Sequence, residues 1–401
     1  MAPIVQPKLS SPHFKADPSP CFARLRDEVP VFRARLPDGR SAWLVTRYDD
    51  AVATLRDERL VKNPRVARIE GAKATWVPSV LRPLTQNMLD LDGADHARLR
   101  RLVHKAFTPR RMEELRGRIQ GLCDELLDAA ERRGDLELMR DYALPLPMTI
   151  IAELLGVPPE HRARFHRWSS RFVAVSSPLD LVRALPALWR FTRYLRQLIA
   201  VRRAAPRDDL ITALVQAEEA GDALSEDELL AMVTILLIAG HETTVNLIGS
   251  GTLALLLHPE QLALLRTDLA LIPTAVEELL RYTSPVSIAT ERFAREALSI
   301  AGTPVARGDQ VLVVLASANR DARQFPDPDR LDVRREPNRH LAFGQGIHYC
   351  LGAPLARLEG QIAIDTLLRR MPALRLRVSP DSLRWRGGVF LRGLARLPLA
   401  F

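Results

Sequence analysis

One stretch of this sequence constrains the fold more than any other. From Leu229 to Leu257 apolar residues persist at helical spacing, with no proline and only brief polar interruptions. Ser225-Glu226-Asp227-Glu228 opens the stretch as a capping box, in which the Ser225 hydroxyl and the Glu228 carboxylate each satisfy the other's backbone N–H. His258-Pro259 stops it. The helix so bounded runs about 33 residues, against an average of about 11–12. Such a helix needs either a membrane or the middle of a large helical domain. Its longest apolar run, Leu229 to Gly240, is about 12 residues, and a span needs about 20. The expectation is a core helix and no membrane association. Met1 to Phe14 has no basic patch followed by an apolar run, so neither a signal peptide nor an anchor is expected.

The rest of the chain fits that expectation. It has 401 residues, 47% of them hydrophobic and 26% charged, which excludes disordered and collagen-like chains. Val31–Leu36 and Ala42–Arg47 alternate around Pro37-Asp38-Gly39 as a hairpin. Helices are expected at Asp49–Arg59, at Asp95–Phe107, from Pro109 through Leu126 to Arg132, at Pro273–Tyr282 and from Cys350 to Met371. Short strands are expected at Leu298–Ile300, Gln310–Val314, Leu374–Val378 and Val389–Leu399. Pro64–Asp90 reads as a long loop and Arg320–Arg339 as an irregular meander. The fold class is mainly α with a minor β region, one large domain over 1–401 with no linker and no fused reductase.

Cys21, Cys123 and Cys350 are odd in number and widely spaced, so no disulfide framework is expected and a reducing cytoplasm is the simplest location. The net charge is +9, and all but five of the 57 basic residues are Arg. No recognition motif accompanies the charge, so nucleic acid is not an expected partner. An acidic protein partner is the alternative use of a basic patch.

The chemistry concentrates in Phe343-Gly344-Gln345-Gly346-Ile347-His348-Tyr349-Cys350-Leu351-Gly352. A lone cysteine is usually an inert buried side chain. Here it follows a glycine-rich turn and stands at an expected helix start, where free N–H groups favour a thiolate. The glycines let backbone approach a flat cofactor. Together these describe a thiolate metal ligand in a backbone cradle.

Phe343, Gly346, Cys350 and Gly352 are spaced as in the heme-binding loop of the cytochrome P450 family, which this segment resembles. Three further segments follow the family's order. Ala239-Gly240-His241-Glu242-Thr243-Thr244, midway along the long helix, resembles its oxygen-activation motif, with Glu242 and Thr243 as the acid and alcohol of a proton relay. Glu278-Leu279-Leu280-Arg281 resembles its structural Glu–Arg pair, with Arg330 in the place of the third, meander partner and Leu331 where the family usually has Phe. His96-Ala97-Arg98-Leu99-Arg100 resembles its propionate-binding pair, His96 and Arg100, and Arg292 and His348 match two more propionate contacts. The resemblance is to the soluble bacterial members and covers essentially the whole chain.

That resemblance implies heme b (iron protoporphyrin IX) bound by the Cys350 thiolate, and a monooxygenase that inserts one oxygen atom from O2 into a hydrophobic small molecule by hydroxylation or epoxidation. Electrons would come from an external ferredoxin with its reductase, to a monomeric enzyme. Carry-over places Ile235, Ile238, Ala239, Ile288, Ala289, Val389 and Phe390 at the substrate, with Pro64–Asp90 as a lid. Arg98, Arg101, Lys105, Arg110 and Arg111 would form the ferredoxin patch. A peroxide-driven peroxygenase and a non-catalytic heme-binding protein are the competing readings. The intact Glu242–Thr243 pair and Cys350 count against them.

Overall fold

The computed structural model describes residues 6–67, 87–173, 178–219 and 222–401. The chain divides into two compact units. One comprises Met1–Ala72, Arg116–Ala143 and Thr243–Phe401, and the other Lys73–Leu115 and Leu144–Glu242.

The first unit carries most of the sheet. The expected hairpin forms as Val31–Arg35 against Ser41–Val45, antiparallel, with Val31 opposite Val45. Gln310–Val313 joins parallel to Ser41–Val45, and Arg292–Ala294 and Leu60–Val61 complete five strands. Leu55, Leu60, Val311, Val313 and Phe325 pack as one core cluster against this sheet. Leu298–Ile300 pairs with Thr303–Val305 across Ala301-Gly302, a separate two-stranded ribbon. Arg116–Arg133 packs on Ala353–Arg370, tied by Arg370 to Asp124, Asp128 and Glu131.

Two sequence expectations are corrected. Of Val389–Leu399 only Pro398–Ala400 is strand, in a three-stranded sheet with Arg375–Leu376 and Leu136–Glu137. Earlier residues of that segment bond instead to the loop after Thr283, with Ser287 N–H donating to the Phe390 carbonyl at 2.8 Å and Arg392 N–H to that of Pro285 at 2.9 Å. A loop partner offers isolated bonds and no ladder. The expected helix from Pro109 is interrupted near Leu115 into Pro109–Glu114 and Arg116–Arg133.

The second unit is helical: Gly93–Ala106, Pro145–Leu154, Pro159–Val173, Pro178–Ala204 and Leu210–Val215. Pro159–Val173 and Pro178–Ala204 pack through Phe165 and Phe191, whose ring centroids are 5.3 Å apart. Arg202 pairs with Asp209 and donates to the Gly156 carbonyl at 2.7 Å, so a buried ion pair closes this bundle.

The long helix, Glu226–Leu257, contributes to both units and runs unbroken for 32 residues. Its capping box forms: Ser225 N–H donates to Glu228 Oε2 at 2.9 Å, and Glu228 N–H to Ser225 Oγ at 3.3 Å. Among the described residues it is the one helix long and apolar enough to cross a membrane, and 61% of its most apolar window is buried inside the protein, as in a core helix. Most of the expected lid, residues 68–86, lies outside the described residues. Its ends are a short helix, Pro64–Ala67, and a turn at Asn87–Asp90.

Candidate active site

The three cysteines occupy different environments. Cys123 is buried, and burial pushes its thiol up to about 12. Cys21 is half-buried, and burial raises it as well. Cys350 alone is exposed. Its loop is shaped by two left-handed glycines, Gly344 at φ 70° and Gly346 at φ 74°. Cys350 N–H donates to the Phe343 carbonyl at 3.0 Å, and Tyr349 N–H to that of Gly346 at 3.0 Å. A Cβ on Gly346 would stand 2.8 Å from the Leu55 carbonyl oxygen, so space and backbone both require glycine.

The helix expected to start at Cys350 starts instead at Ala353, with Gly352 as its cap. Pro354 explains the shift. Its missing N–H belongs in the first turn, and a start at Cys350 would bury that gap in the ladder. Cys350 therefore sits on the approach to the helix, its carbonyl accepting from Ala353 N–H at 3.4 Å.

These residues fit a metal that brings most of its own ligands. Among the described residues no three His, Cys, Asp or Glu side chains cluster to hold an ion. One exposed thiolate can supply a single bond, and a porphyrin supplies the other four. The Cβ positions of Gly344 and Gly352, flanking the thiol in sequence, have nothing within 4 Å, so flat backbone borders open space.

Side chains hold the loop from behind. Arg357 lies over Phe343 at 4.4 Å from the ring centroid and donates twice to Glu277, at 2.7 and 2.8 Å. His340 Nε2 meets the same carboxylate at 3.0 Å. Burial alone would raise Glu277, but the hydrogen bonds and charges of His340 and Arg357 outweigh it and hold the carboxyl at about 2. Nothing in the sequence singled out Glu277, Arg357 or His340. An i-to-i+80 pair leaves no local spacing signal.

The Glu278–Arg281 pair is fully buried and bidentate, at 2.7 and 2.8 Å. Its third partner is corrected. Arg335, not Arg330, brings the second guanidinium to Glu278, at 3.2 Å. Arg330 points its side chain to solvent and contributes only its carbonyl, which accepts from Arg281 at 3.1 Å. The meander turns so that the carbonyls of Asn319, Pro328 and Arg330 all face Arg281. The Arg330 side chain leaves toward solvent, whereas Arg335 returns to the pair five residues later.

Midway along the long helix the burial pattern opens. Leu229–Val233 are buried, then Ile235, Ile238, Glu242 and Thr243 are half-buried and Ala239 and Gly240 are exposed. That spacing is one face of a helix, apolar toward its start and ending in the acid and alcohol. A Cβ on Gly240 would meet only Ile151, at 3.8 Å. One residue on, Thr244 is buried and hydrogen-bonded to Glu359, a buried carboxyl that desolvation raises to about 8. Glu359 was not legible in the sequence, where it looks like any charged helix residue.

The remaining expected residues are placed as follows. In the second unit His96 is 2% exposed and Arg100 half-buried, one turn apart on Gly93–Ala106. In the first unit Arg292 is 3% exposed, donating to the Leu55 carbonyl at 3.4 Å, and His348 is half-buried in the thiol loop. Ala289 is buried in the core cluster of the five-stranded sheet, and Val389 and Phe390 are half-buried against the cluster that holds Ile288. Ile288 is corrected: at 1% exposure it packs with Leu44 and Leu312 and belongs to the core. On the basic helix Arg98 pairs with Glu228, and nearby Arg110 pairs with Glu114 at 2.9 Å, while Arg101 and Lys105 are exposed.

Comparisons with known proteins agree with this geometry. The sequence model of the family described as Cytochrome P450 matches residues 191–388. Cytochrome P450 107B1 of Saccharopolyspora erythraea is 48% identical, covering 94% of this chain and 93% of that protein. Cytochrome P450 monooxygenase PikC of Streptomyces venezuelae is 49% identical, covering 96% of this chain and 91% of that protein. Among solved structures, the Bacillus subtilis 168 Bacillaene Polyketide Synthase (PKS) Cytochrome P450 PksS superposes with a TM-score of 0.91 at 44% identity, covering 98% of each chain. With a lone exposed thiol on its glycine cradle and relatives of this identity along nearly its full length, the chain belongs to the cytochrome P450 family and is a heme-thiolate monooxygenase.

Proposed function

We propose that this enzyme oxidises an apolar small molecule with electrons from an acidic ferredoxin, acting as a cytoplasmic monomer, and that Cys350 is the thiolate that carries its heme. The observation that supports the ligand assignment most is the exposure of Cys350 alone among three cysteines. When bound, the heme supplies O2 activation and the transfer of one oxygen atom. The chain supplies position, charge and protons.

Cys350 offers its thiolate at the end of a loop that glycine conformation and the Phe343 carbonyl hold in place. His96, Arg100, Arg292 and His348 are proposed to pair with the two propionates, which need cationic or donating partners once out of water. Ile235, Ile238 and Ala239 from the long helix, with Ala289, Val389 and Phe390, are proposed to contact the substrate. Their apolar character favours a substrate with little polarity there. Glu242 and Thr243, ending the open helix face, are proposed to hold and pass protons at the carboxyl and at Oγ1. Arg101 and Lys105, exposed on one basic helix, are the proposed contact for the ferredoxin, a small and salt-sensitive interface.

Two measurements test this reading. Titrating the heme-loaded enzyme with a hydrophobic panel should give a saturable low-to-high-spin Soret shift with one chemical class. No shift with any class, in a sample keeping the thiolate signature of its reduced CO complex, would overturn a free apolar substrate and favour a carrier-bound one. Thr243→Ala should keep that signature and the shift but divert electrons from product to peroxide. Normal coupling in that variant would refute the relay.

A further inference from the structure

A cavity of about 450 Å³ opens in the first unit among residues that have no part in the site above. Its walls come from the chain after the first helix (Ala16 to Ala23), the last turns of the long helix (Ser250 to His258), Tyr282 and Thr283, and Arg320, Asp329, Trp385 and Arg392. One side is apolar: Ala23, Leu253, Ala254 and, at the rim, Leu257 with 46% exposure. The other side carries the charged groups. Arg392 stacks on Trp385 at 4.0 Å and Arg320 on Tyr282 at 4.1 Å.

That side carries two Arg and two Asp, Arg320 and Arg392 against Asp17 and Asp329, but Arg392 is left out of the ion pairing. Arg320 is paired with Asp329 at 2.7 Å. Asp17, at the edge, accepts from Ser19 N–H at 3.3 Å. Arg392 meets only carbonyls, those of Lys15, Ala16 and Thr283, with three of its five N–H groups. Among the described residues no carboxylate lies within ion-pair distance of it. Directly behind it Lys15, 2% exposed, donates to the Val389 carbonyl at 2.9 Å and also has no carboxylate partner among them. Burial lowers both cations, Lys15 to about 7 and Arg392 to about 10; Arg392 lowers Lys15 further, and Arg320 lowers Arg392 while the more distant Asp17 raises it. A hydroxyl in the same wall, Ser250 Oγ, is buried with no hydrogen-bond partner among the described residues. Arg392, with no carboxylate at ion-pair distance, and an unused hydroxyl beside an apolar wall suit an anion with an apolar body.

We propose that this cavity binds a small amphipathic carboxylate, its acid group on Arg392 and its apolar part against Leu253, Ala254 and Leu257. The volume lies within the range of small-molecule sites, about 300–1,000 Å³. The carboxylate needs two free N–H groups in one plane, which is what Arg392 has left. Lys15, one layer deeper, adds field without contact.

The test is calorimetric titration of the heme-loaded full chain with octanoate, in the presence of imidazole saturating the heme. Methyl octanoate and inorganic phosphate serve as controls. The expected result is one octanoate per chain with no change in the Soret band, and no comparable binding of either control. Arg392→Gln should weaken octanoate at least about tenfold, the usual scale for losing one partner of a desolvated charge pair. Ala23→Trp fills the cavity from its apolar wall, leaves Arg392 in place and should weaken it comparably. Both variants should retain the CO-complex signature of the folded enzyme. No binding by the wild type, wild-type affinity in either variant, or phosphate binding as well as octanoate would each overturn the proposal.

Discussion

The identity of the third charge in the buried ion-pair cluster can be decided by mutation. Glu278 accepts from Arg281 twice, from Asp332 N–H at 2.9 Å, from Asn338 at 3.1 Å and from Arg335 at 3.2 Å. Removing Arg335 therefore leaves Glu278 four other bonds and no bare charge. The loss is one charge-assisted hydrogen bond, about 1.5–3 kcal/mol. The carbonyls of Pro326, Asp327 and Arg330 that Arg335 also meets lie at exposed contacts, where water replaces the donor. Arg335→Leu should thus cost about 2 kcal/mol. Arg281→Leu strips both guanidinium bonds from a fully buried carboxylate and should cost about 3–5 kcal/mol. Arg330→Ala removes an exposed side chain and keeps the carbonyl that Arg281 uses, so its effect should stay within about 0.5 kcal/mol. Urea unfolding of each heme-loaded variant, at equal excess heme, reads these values as shifts of midpoint at constant slope. If Arg330→Ala cost as much as Arg335→Leu, or Arg335→Leu cost nothing, the assignment of the third cation would be wrong.

Three further outcomes follow from the geometry. Gly346→Ala should destabilise by at least the about 1–2 kcal/mol of a left-handed non-glycine residue and lower the heme-to-protein ratio, because its Cβ would press the loop off the Leu55 carbonyl; full heme content would refute the tight-contact argument. Glu359, raised from 4.5 to about 8, binds a proton more firmly in the folded state, so its contribution is present below about pH 4.5 and is lost as pH rises through 8. At about 1.36 kcal/mol per unit that is on the order of 5 kcal/mol, and Glu359→Gln should flatten the fall in stability between pH 5 and 9; an unchanged pH profile would place the buried proton elsewhere. Arg101→Glu with Lys105→Glu should slow reduction by an acidic ferredoxin at low salt and leave the substrate-induced Soret shift unchanged, and equal reduction rates would remove this helix from the interface.

What the sequence made legible is what local chemistry decides. The long helix came out within a residue because its cap and stop are local: Ser225 and Glu228 bond each other, and Pro259 cannot continue the ladder. The Glu278–Arg281 pair was legible because i and i+3 share a face. Its third partner was not, because Arg330 and Arg335 are five residues apart in a segment with no period, and only the path of the meander chooses between them. The helix after Cys350 was misplaced although Pro354 carried the information. Ile288 reads as lining in the sequence because an apolar side chain beside Ala289 looks the same whether it faces a cavity or packs with Leu44 and Leu312. Glu359 and Lys15 were invisible for a related reason: charged residues are counted as surface unless partners say otherwise, and here the partners lie far along the chain.

The thiol loop raises a structural problem that one helix turn answers. Residues 320–352 contain almost no regular structure, so their backbone cannot hold Cys350 by ladders. Glu277 and Glu278 follow one another on Ile272–Thr283 and so point about 100° apart. Glu277 takes His340 and Arg357, which flank the loop and stack on Phe343. Glu278 takes Arg335, Asn338 and the Asp332 amide, which fix the meander leading into it. Two adjacent carboxylates thus clamp the two sides of an irregular segment to one rigid helix. Their consequences should separate. Glu277→Gln, at a partly exposed site, should loosen Phe343 and blur the CO-complex band with a modest stability loss, while Glu278→Gln, at a fully buried one, should first lower the unfolding midpoint. Identical behaviour of the two variants would mean that the meander and the loop move as one piece, and that the division of labour between the two carboxylates is not real.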